Sequence, residues 1–158
     1  METIVIDIES NNLGRIIFIL DILKGDFKSF NPVKFKLDSG SDFTTVSAKD
    51  LYDLGYTREF LEKCPEHIES ASTASEDNNL KLQYITNVSI KFGDRELQGC
   101  RIFFALDTNL RSLFGTDILK YFNWEVNYDT GILQLTKTTN EPKLSPGEVP
   151  LQIYTVEV

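Results

Sequence analysis

The sequence consists largely of short segments in which apolar and polar residues alternate, or in which brief apolar runs are bounded by Asn, Gly and Pro. Alternation at Ile4, Ile6 and Ile8 and the segments 16–23 and 33–37 are rich in β-branched and aromatic residues. Such patterns are typical of β-strands. Further strands are predicted at 80–92, 95–105, 124–128 and 131–136. The pattern therefore predicts a mostly β protein.

Two short helices are predicted to interrupt the strands. Ser47 belongs to the residue types that cap helices, Asp50 follows near the positive end of the helix dipole, and Gly55 supplies a left-handed stop. Another helical turn is predicted over 58–64. The second helix is predicted to start at Thr116, where apolar residues recur at helical spacing. Both helices are expected to be short, and the second is expected to be amphipathic.

Length and composition fit one globular domain followed by a short tail. The chain has 158 residues, of which 41% are hydrophobic and 25% are charged, and this length can bury a core without disulfides. Residues 1–136 are predicted to form the domain, and the Pro-containing stretch 137–148 a linker. Residues 149–158 are predicted to be a C-terminal strand because they are rich in Val, Leu, Ile and Tyr.

Charge and targeting signals exclude several classes of protein. The formal charge of −8 disfavours binding to a phosphate backbone. The apolar run 16–20 is too short to span a membrane, and the first residues do not resemble a secretory signal. Cys64 and Cys100 have no zinc-site spacing and are interpreted as reduced core thiols. We therefore expect a cytoplasmic protein with no nucleic-acid or membrane partner.

The segment VKFKLDSGSDFTTVS carries the clearest candidate chemistry. An apolar strand runs into Asp38, so a carboxylate is presented at a strand end, and the small residues Ser39 and Gly40 allow another backbone to approach closely. The alternative is an ordinary solvated turn, since Asp-Ser-Gly is common turn chemistry. A second signature downstream, SLFGTDILKYF, places two large apolar residues and Gly115 before the helix predicted at Thr116.

Together these two segments resemble the retropepsin-like family, the retroviral-type single-domain aspartic proteases. In that family a strand enters an Asp-Ser/Thr-Gly triplet, here 38–40, and a later apolar-apolar-Gly strand, here 113–115, threads beside it into a short helix. The ending NWEVNYDTGILQL also resembles the closing strands of the family. The resemblance implies an all-β, closed barrel-like single lobe with one or two short helices, active as a homodimer.

The resemblance also implies an activity, aspartic-type endopeptidase hydrolysis of peptide or protein substrates. This chain has one Asp-Ser-Gly triplet, so a second subunit would supply the second Asp38. Two close carboxylates do not both ionise easily, so the pair of Asp38 side chains would hold a single proton. The ionised Asp38 would activate water and the protonated one would polarise the scissile carbonyl. No metal or organic cofactor is implied.

Roles for four neighbouring residues follow from the same resemblance. The Ser39 hydroxyl is expected to bond across the dimer, and Gly40 to allow close approach and to offer its N–H to the carboxylates. Ser41 is expected to donate to an ionised Asp38 and favour its charged form. Gly115 is expected where a threading strand leaves no room for a side chain.

A flap covering the cleft is expected over 68–85. Its tip, to which substrate contacts are assigned, contains no glycine, whereas family flap tips tend to be glycine-rich. An ordinary acidic surface loop is the alternative interpretation of this segment. The residues assigned to the flap and to substrate binding are Ser72, Thr73, Ala74 and Ser75.

Other possibilities remain beside the protease. The fold could serve as a non-catalytic dimerisation or peptide-binding module. The tail 149–158 is expected to pair with the strand around Ile4 at the dimer interface or to occlude the cleft.

His67 is expected at the surface, too isolated to act as the base of a serine hydrolase. Trp124 and Tyr128 are expected to pack against a core.

Overall fold

A computed structural model gives the fold of most of the chain. Within the described part, ten strands and three short helices are present. The prediction of a mostly β protein with few short helices is therefore confirmed. The described residues are 3–10, 13–25, 29–67, 81–92, 94–145 and 148–155.

The strands and helices lie close to their predicted positions. The strand predicted at 16–23 is observed with the same first and last residues. The strands are β1 (Thr3–Asp7), β2 (Glu9–Ser10), β3 (Ile16–Leu23), β4 (Phe30–Leu37), β5 (Gln83–Phe92), β6 (Arg95–Phe104), β7 (Leu113–Phe114), β8 (Phe122–Asn127), β9 (Ile132–Lys137) and β10 (Gln152–Thr155). The helices are α1 (Ala48–Asp53), α2 (Arg58–Glu62) and α3 (Thr116–Leu119). None of these described helices is long and apolar enough to cross a membrane.

The strands form two sheets. The larger one is curled and has the order β10-β6-β5-β3-β4-β7, with β2 added beside β3. The smaller one has the order β1-β9-β8. Neighbouring strands run antiparallel except that β7 runs parallel to β4, because the chain between them crosses the molecule before it returns. That parallel pair carries the candidate site.

Alternating residues of the curled sheet form the core. Strand β3 buries Phe18 and, at the following alternate positions, a leucine and an isoleucine, as a half-buried strand requires. The Phe114 ring packs edge-on against Phe18, Phe35 and Phe92, with ring centroids 5.4, 6.2 and 6.0 Å apart. Phe114 is fully buried. The short strand β7 is therefore fixed to the centre of the core by its aromatic residue.

Helix α1 begins and ends as the sequence predicts. The Ser47 side chain accepts a hydrogen bond from the Asp50 N–H at 3.1 Å, and Gly55 takes a left-handed φ of 94° just after the helix. Both features satisfy groups that a helix end leaves unpaired. Helix α3 begins at Thr116 as predicted, after the capping residue Gly115.

The C-terminal segment packs on its own chain. Strand β10 pairs antiparallel with β6, and Glu148, just before it, forms an ion pair with Lys120 at 2.7 Å. The strand around Ile4 pairs instead with β9, where Ile4 lies opposite Leu135. Both strands are the end strands of their sheets, so the expected pairing of the tail with this strand across a dimer interface stays a prediction.

Both cysteines are free thiols, but their environments differ. Cys100 is buried in the core, and burial raises the pKa of its thiol far above the usual range. Cys64 is half-buried after α2, so the expectation of two core thiols is correct only for Cys100. A thiol as buried as Cys100 is a packing group rather than a nucleophile.

Candidate active site

Strand β4 presents Asp38 beside the parallel strand β7. Leu37 lies opposite Phe114 in the pairing of these strands, and the Asp38 N–H donates to the Phe114 carbonyl at 3.0 Å. The pairing therefore continues one residue beyond β4 and fixes the backbone of Asp38. Its side chain is half-buried, so the carboxylate is held at the surface by a rigid strand.

A tight turn follows Asp38 and orients its carboxylate. The Gly40 N–H donates to Asp38 Oδ1 at 3.0 Å, and the Ser41 N–H donates to the Asp38 carbonyl at 3.1 Å. A Cβ at Gly40 would lie 3.3 Å from Asp38 Oδ1, so the small residue permits the close approach. Ser39 is exposed in this turn, and its bond across a dimer stays a prediction.

Ser41 holds the turn rather than the carboxylate. Its hydroxyl donates to the Phe43 carbonyl at 2.8 Å, so the expected donation from this hydroxyl to Asp38 is wrong for the described chain. Its carbonyl accepts from the Thr116 N–H at 2.9 Å and from the Thr116 hydroxyl at 3.2 Å. Ser41 therefore links the Asp38 loop to the start of α3 through its carbonyl, while its single hydroxyl proton is used within the turn.

Gly115 lies where β7 passes through this loop. A Cβ at this position would lie 2.4 Å from the Phe43 carbonyl oxygen and 2.8 Å from the Ser41 carbonyl oxygen. These are backbone atoms, which cannot rotate away as a side chain would. The backbone conformation of Gly115 is an ordinary extended one, so close approach alone requires glycine here.

A buried polar contact that sequence analysis missed joins the loop to α3. The Thr44 hydroxyl donates to Asp117 Oδ1 at 2.6 Å, the Thr44 N–H donates to Asp117 Oδ2 at 3.0 Å, and the Gly115 N–H donates to the Thr44 hydroxyl at 3.1 Å. Thr44 is fully buried. In the sequence Asp117 is only a residue of the first helical turn. The contact joins residues 73 positions apart, a separation that local patterns do not report.

The environment of Asp117 makes the contribution of this contact depend on pH. Burial raises the pKa of the Asp117 carboxyl above its ordinary value of 3.8, although hydrogen bonds from Thr44 and Ile118 lower it. The folded chain therefore binds this proton more tightly than the unfolded chain. The stabilisation that the protonated Asp117 contributes is complete below pH 3.8, the ordinary pKa of the group. It is lost as the pH rises through the raised pKa of the folded chain.

We expect Asp117→Asn to lower the free energy of unfolding by about 1–3 kcal/mol. The NH2 of the new amide would face a group that is itself a donor, such as the N–H of Thr44, which now donates to the carboxylate. The loss should be larger at about pH 4 than at neutral pH, since only the wild type gains stability by binding the proton. Urea denaturation at both pH values measures this difference. Asp53→Asn, at an exposed position of α1, is the matched control. An equal or smaller loss at low pH would contradict the account of Asp117.

The base of a hairpin lies beside the Asp38 loop, where a flap is expected. Glu66 and Gln83 form an antiparallel bridge, and the His67 N–H donates to the Leu82 carbonyl at 2.8 Å. The flap residues assigned from the sequence lie outside the described residues, so their assignment stays a prediction. These residues are Ser72, Thr73, Ala74 and Ser75.

Aromatic side chains connect the hairpin base to the Asp38 loop. The Phe43 ring lies 4.8 Å from the His67 ring and 4.5 Å from the Phe103 ring, and Tyr84 lies 5.5 Å from Phe103, measured between centroids. His67 is half-buried in this cluster, so the expected surface position is wrong. The Arg101 guanidinium lies 5.6 Å from the Phe103 ring. The cluster gives the site a largely apolar wall with one cation at its edge.

Among solved structures, a similar architecture that spans most of this chain is found in a bacterial protein. The match is the crystal structure of a retropepsin-like aspartic protease from Rickettsia conorii, with a TM-score of 0.57 and 20% sequence identity, over 85% of this chain and 90% of that chain. No protein-family model and no curated protein matches the sequence. The structural likeness shows that this chain has a retropepsin-like fold.

Proposed function

We propose that this protein is an aspartic endopeptidase, active as a homodimer in which each subunit contributes Asp38. The observation that carries the proposal is the half-buried Asp38 carboxylate at the end of β4. Its backbone is fixed by Phe114 and its Oδ1 accepts from Gly40. The retropepsin-like fold supports the same interpretation, because the similar Rickettsia structure is an aspartic protease.

Two copies of Asp38 can perform chemistry that one cannot. Two carboxylates a few ångströms apart do not both ionise, because like charges at that distance repel strongly, so the pair retains one proton. The pair then contains a base and an acid at the same pH. A single chain has one Asp-Ser-Gly triplet, and a two-fold dimer is the simplest way to bring two together.

The reaction uses one bound water molecule. The ionised Asp38 takes a proton from the water as its oxygen attacks the scissile carbonyl carbon, and the protonated Asp38 donates its proton to the carbonyl oxygen. The tetrahedral intermediate collapses as the amide nitrogen receives a proton from the first carboxyl and the C–N bond breaks. One hydroxyl of the intermediate gives its proton to the second carboxylate, which restores the singly protonated pair, and the two products are a carboxylic acid and an amine.

The apolar wall beside the loop supports a peptide substrate with a large apolar side chain near the cleavage site. Phe43 and Tyr84 are both half-buried, so their rings offer partly open apolar surface at the hairpin base. In this proposal the segment containing Ser72, Thr73, Ala74 and Ser75 closes over the substrate. Closure would exclude water other than the attacking molecule.

Peptide hydrolysis in ¹⁸O-labelled water tests the proposal. The purified protein is incubated with a mixture of peptides, and the products are identified by mass spectrometry. Direct attack by water places one ¹⁸O atom in the new carboxyl group and forms no acyl-enzyme, so an added amine should not be incorporated. Loss of cleavage in Asp38→Asn is the required companion result. A wild type that binds peptides and cleaves none would instead indicate a binding module.

A further inference from the structure

A cleft lined mainly by cations lies beside strands β3 and β4. Its volume is about 290 Å³, just below the range of small-molecule sites, so it has room for one side chain rather than for a cofactor. The chain as a whole has a formal charge of −8, so this part of the surface has the opposite sign to the molecule. The charged residues of this cationic cleft are Arg15, Lys34, Lys36, Asp50 and Arg111.

The cationic cleft shares a face of β4 with Asp38. Side chains along a strand point alternately to opposite faces, so Lys34, Lys36 and Asp38 lie on one face. Val33 and Phe35, at the intervening positions, are buried in the core. At about 3.3 Å per residue, the Cα atoms of Lys36 and Asp38 are about 7 Å apart. A side chain that flanks the scissile bond of an extended peptide can therefore reach the cationic cleft while the bond lies at Asp38.

Hydrogen bonds fix the backbone on both sides of the cationic cleft. The Lys36 N–H donates to the Ser112 carbonyl at 3.2 Å, and the Thr45 hydroxyl donates to the Arg111 carbonyl at 2.6 Å. Both Thr45 and Ser112 are buried, so the backbones of the two cationic residues are held against the core. A ligand would not have to order this backbone on binding, which lowers the free-energy cost of association.

Two of the cations have no acidic partner among the described residues. Lys34 forms an ion pair with Glu9 at 3.6 Å. Within the described chain, neither Lys36 nor Arg111 forms an ion pair or a side-chain hydrogen bond. Asp50, the one acidic residue described in the lining, accepts from a buried serine hydroxyl at 2.6 Å. The cationic cleft therefore offers two uncompensated positive charges to an anionic group.

We propose that the cationic cleft binds the side-chain carboxylate of an aspartate or glutamate next to the scissile bond, with Lys36 and Arg111 as its partners. The proposal rests on the proposed function and gives it a substrate class, peptides with an acidic residue on one side of the cut. A guanidinium can hold a carboxylate through two parallel hydrogen bonds, and the lysine ammonium adds a compact positive charge.

The cationic cleft and the apolar wall are separate surfaces. Phe43 and Tyr84, whose rings belong to the apolar wall, do not line the cationic cleft. Trp124 and Tyr128, which were expected to pack against a core, are instead 42% and 58% exposed and line neither surface. One acidic and one apolar side chain of the same peptide can therefore be bound on opposite sides of the cut.

Matched peptides test the proposal. Their central pair is Phe-Glu or Glu-Phe, which supplies one side chain for the apolar wall and one for the cationic cleft, and the comparison peptides have Gln in place of Glu. Because hydrogen bonds to a charged group are stronger than those to a neutral one, we expect kcat/KM to be about 10- to 100-fold higher with Glu than with Gln.

Variants of the two cations show whether they cause this preference. The ratio should fall towards one when Lys36→Met is combined with Arg111→Met. Lys36→Glu combined with Arg111→Glu should prefer peptides with Lys in place of Glu, and such a reversal also shows that the variant folds. The matched control is Lys49→Met, at an exposed position of α1 outside the cationic cleft, which should keep the wild-type ratio.

Binding measurements separate this proposal from the proposed function. Dissociation constants of the same peptides, carrying a fluorescent label, are measured with Asp38→Asn and should show the same preference for Glu. Equal constants, no measurable binding, or a preference that survives the loss of both cations would overturn the cationic cleft, even if the wild type cleaves peptides. A preference that depends on Lys36 and Arg111, together with no cleavage by the wild type, would support the cationic cleft and overturn the proposed function.

Discussion

Replacing Asp38 by Asn should reduce peptide hydrolysis by about two to four orders of magnitude, the contribution of general acid–base catalysis, and leave the fold unchanged. The amide has the shape of the carboxylate and its oxygen can still accept from the Gly40 N–H, as Oδ1 does at 3.0 Å. It cannot accept a proton from water at any ordinary pH. Initial rates with a cleaved peptide and circular dichroism measure the two effects.

The thermal midpoint of this variant is informative. In the proposed dimer the two Asp38 carboxylates lie close together and repel, so Asp38→Asn should unfold at the same temperature as the wild type or at a higher one. Asp53→Asn, the same change at an exposed helix position, should retain full activity. Undiminished cleavage by Asp38→Asn would move the active site elsewhere.

Gly115→Val should unfold the protein or destabilise it severely. Its Cβ would lie 2.4 Å from the Phe43 carbonyl oxygen, and the branched side chain adds two further atoms to a site enclosed by backbone. Overpacking of a core costs about 1–3 kcal/mol where side chains can move, and here the obstructing atoms are main chain. A cost of about 3 kcal/mol would lower the melting temperature by roughly 6–12 °C for a chain of this size.

Two alanine variants separate the causes of this loss. Gly115→Ala keeps an ordinary backbone conformation and meets the clash, whereas Gly14→Ala meets no atom within 4 Å but occupies a φ of 72°. The second should cost only the left-handed backbone penalty of about 1–2 kcal/mol. A Gly115→Ala that melts above Gly14→Ala would contradict the threading of β7 through the Asp38 loop.

Features that depend on nearby residues were predictable from the sequence. Strand β3 has the predicted bounds because its apolar residues and its flanking breakers are adjacent in the chain. Helix α1 has its predicted cap because Ser47 and Asp50 lie within one turn. Asp38 and Gly115 could be selected because each lies in a short motif, although the contact between the two segments, from the Asp38 N–H to the Phe114 carbonyl, is long-range.

Features that depend on tertiary contacts were not predictable. The sequence around Thr44 gives no sign that its hydroxyl reaches Asp117 on α3. Nor did the β-propensity of the tail identify β6 as its partner, since propensity describes a strand and not its neighbour. Ser41 shows the same limit, because the direction of its hydroxyl follows from the bend that brings the Phe43 carbonyl within 2.8 Å.

Activity in mixtures of wild type and Asp38→Asn tests most directly whether the active site is built from two chains. The chains are mixed at constant total concentration and allowed to exchange subunits, and hydrolysis is followed as the wild-type fraction varies. If both Asp38 side chains are required, mixed dimers are inactive and the rate follows the square of the wild-type fraction, so an equal mixture retains about a quarter of the activity. A rate proportional to that fraction, with about half retained in the equal mixture, would contradict the shared site.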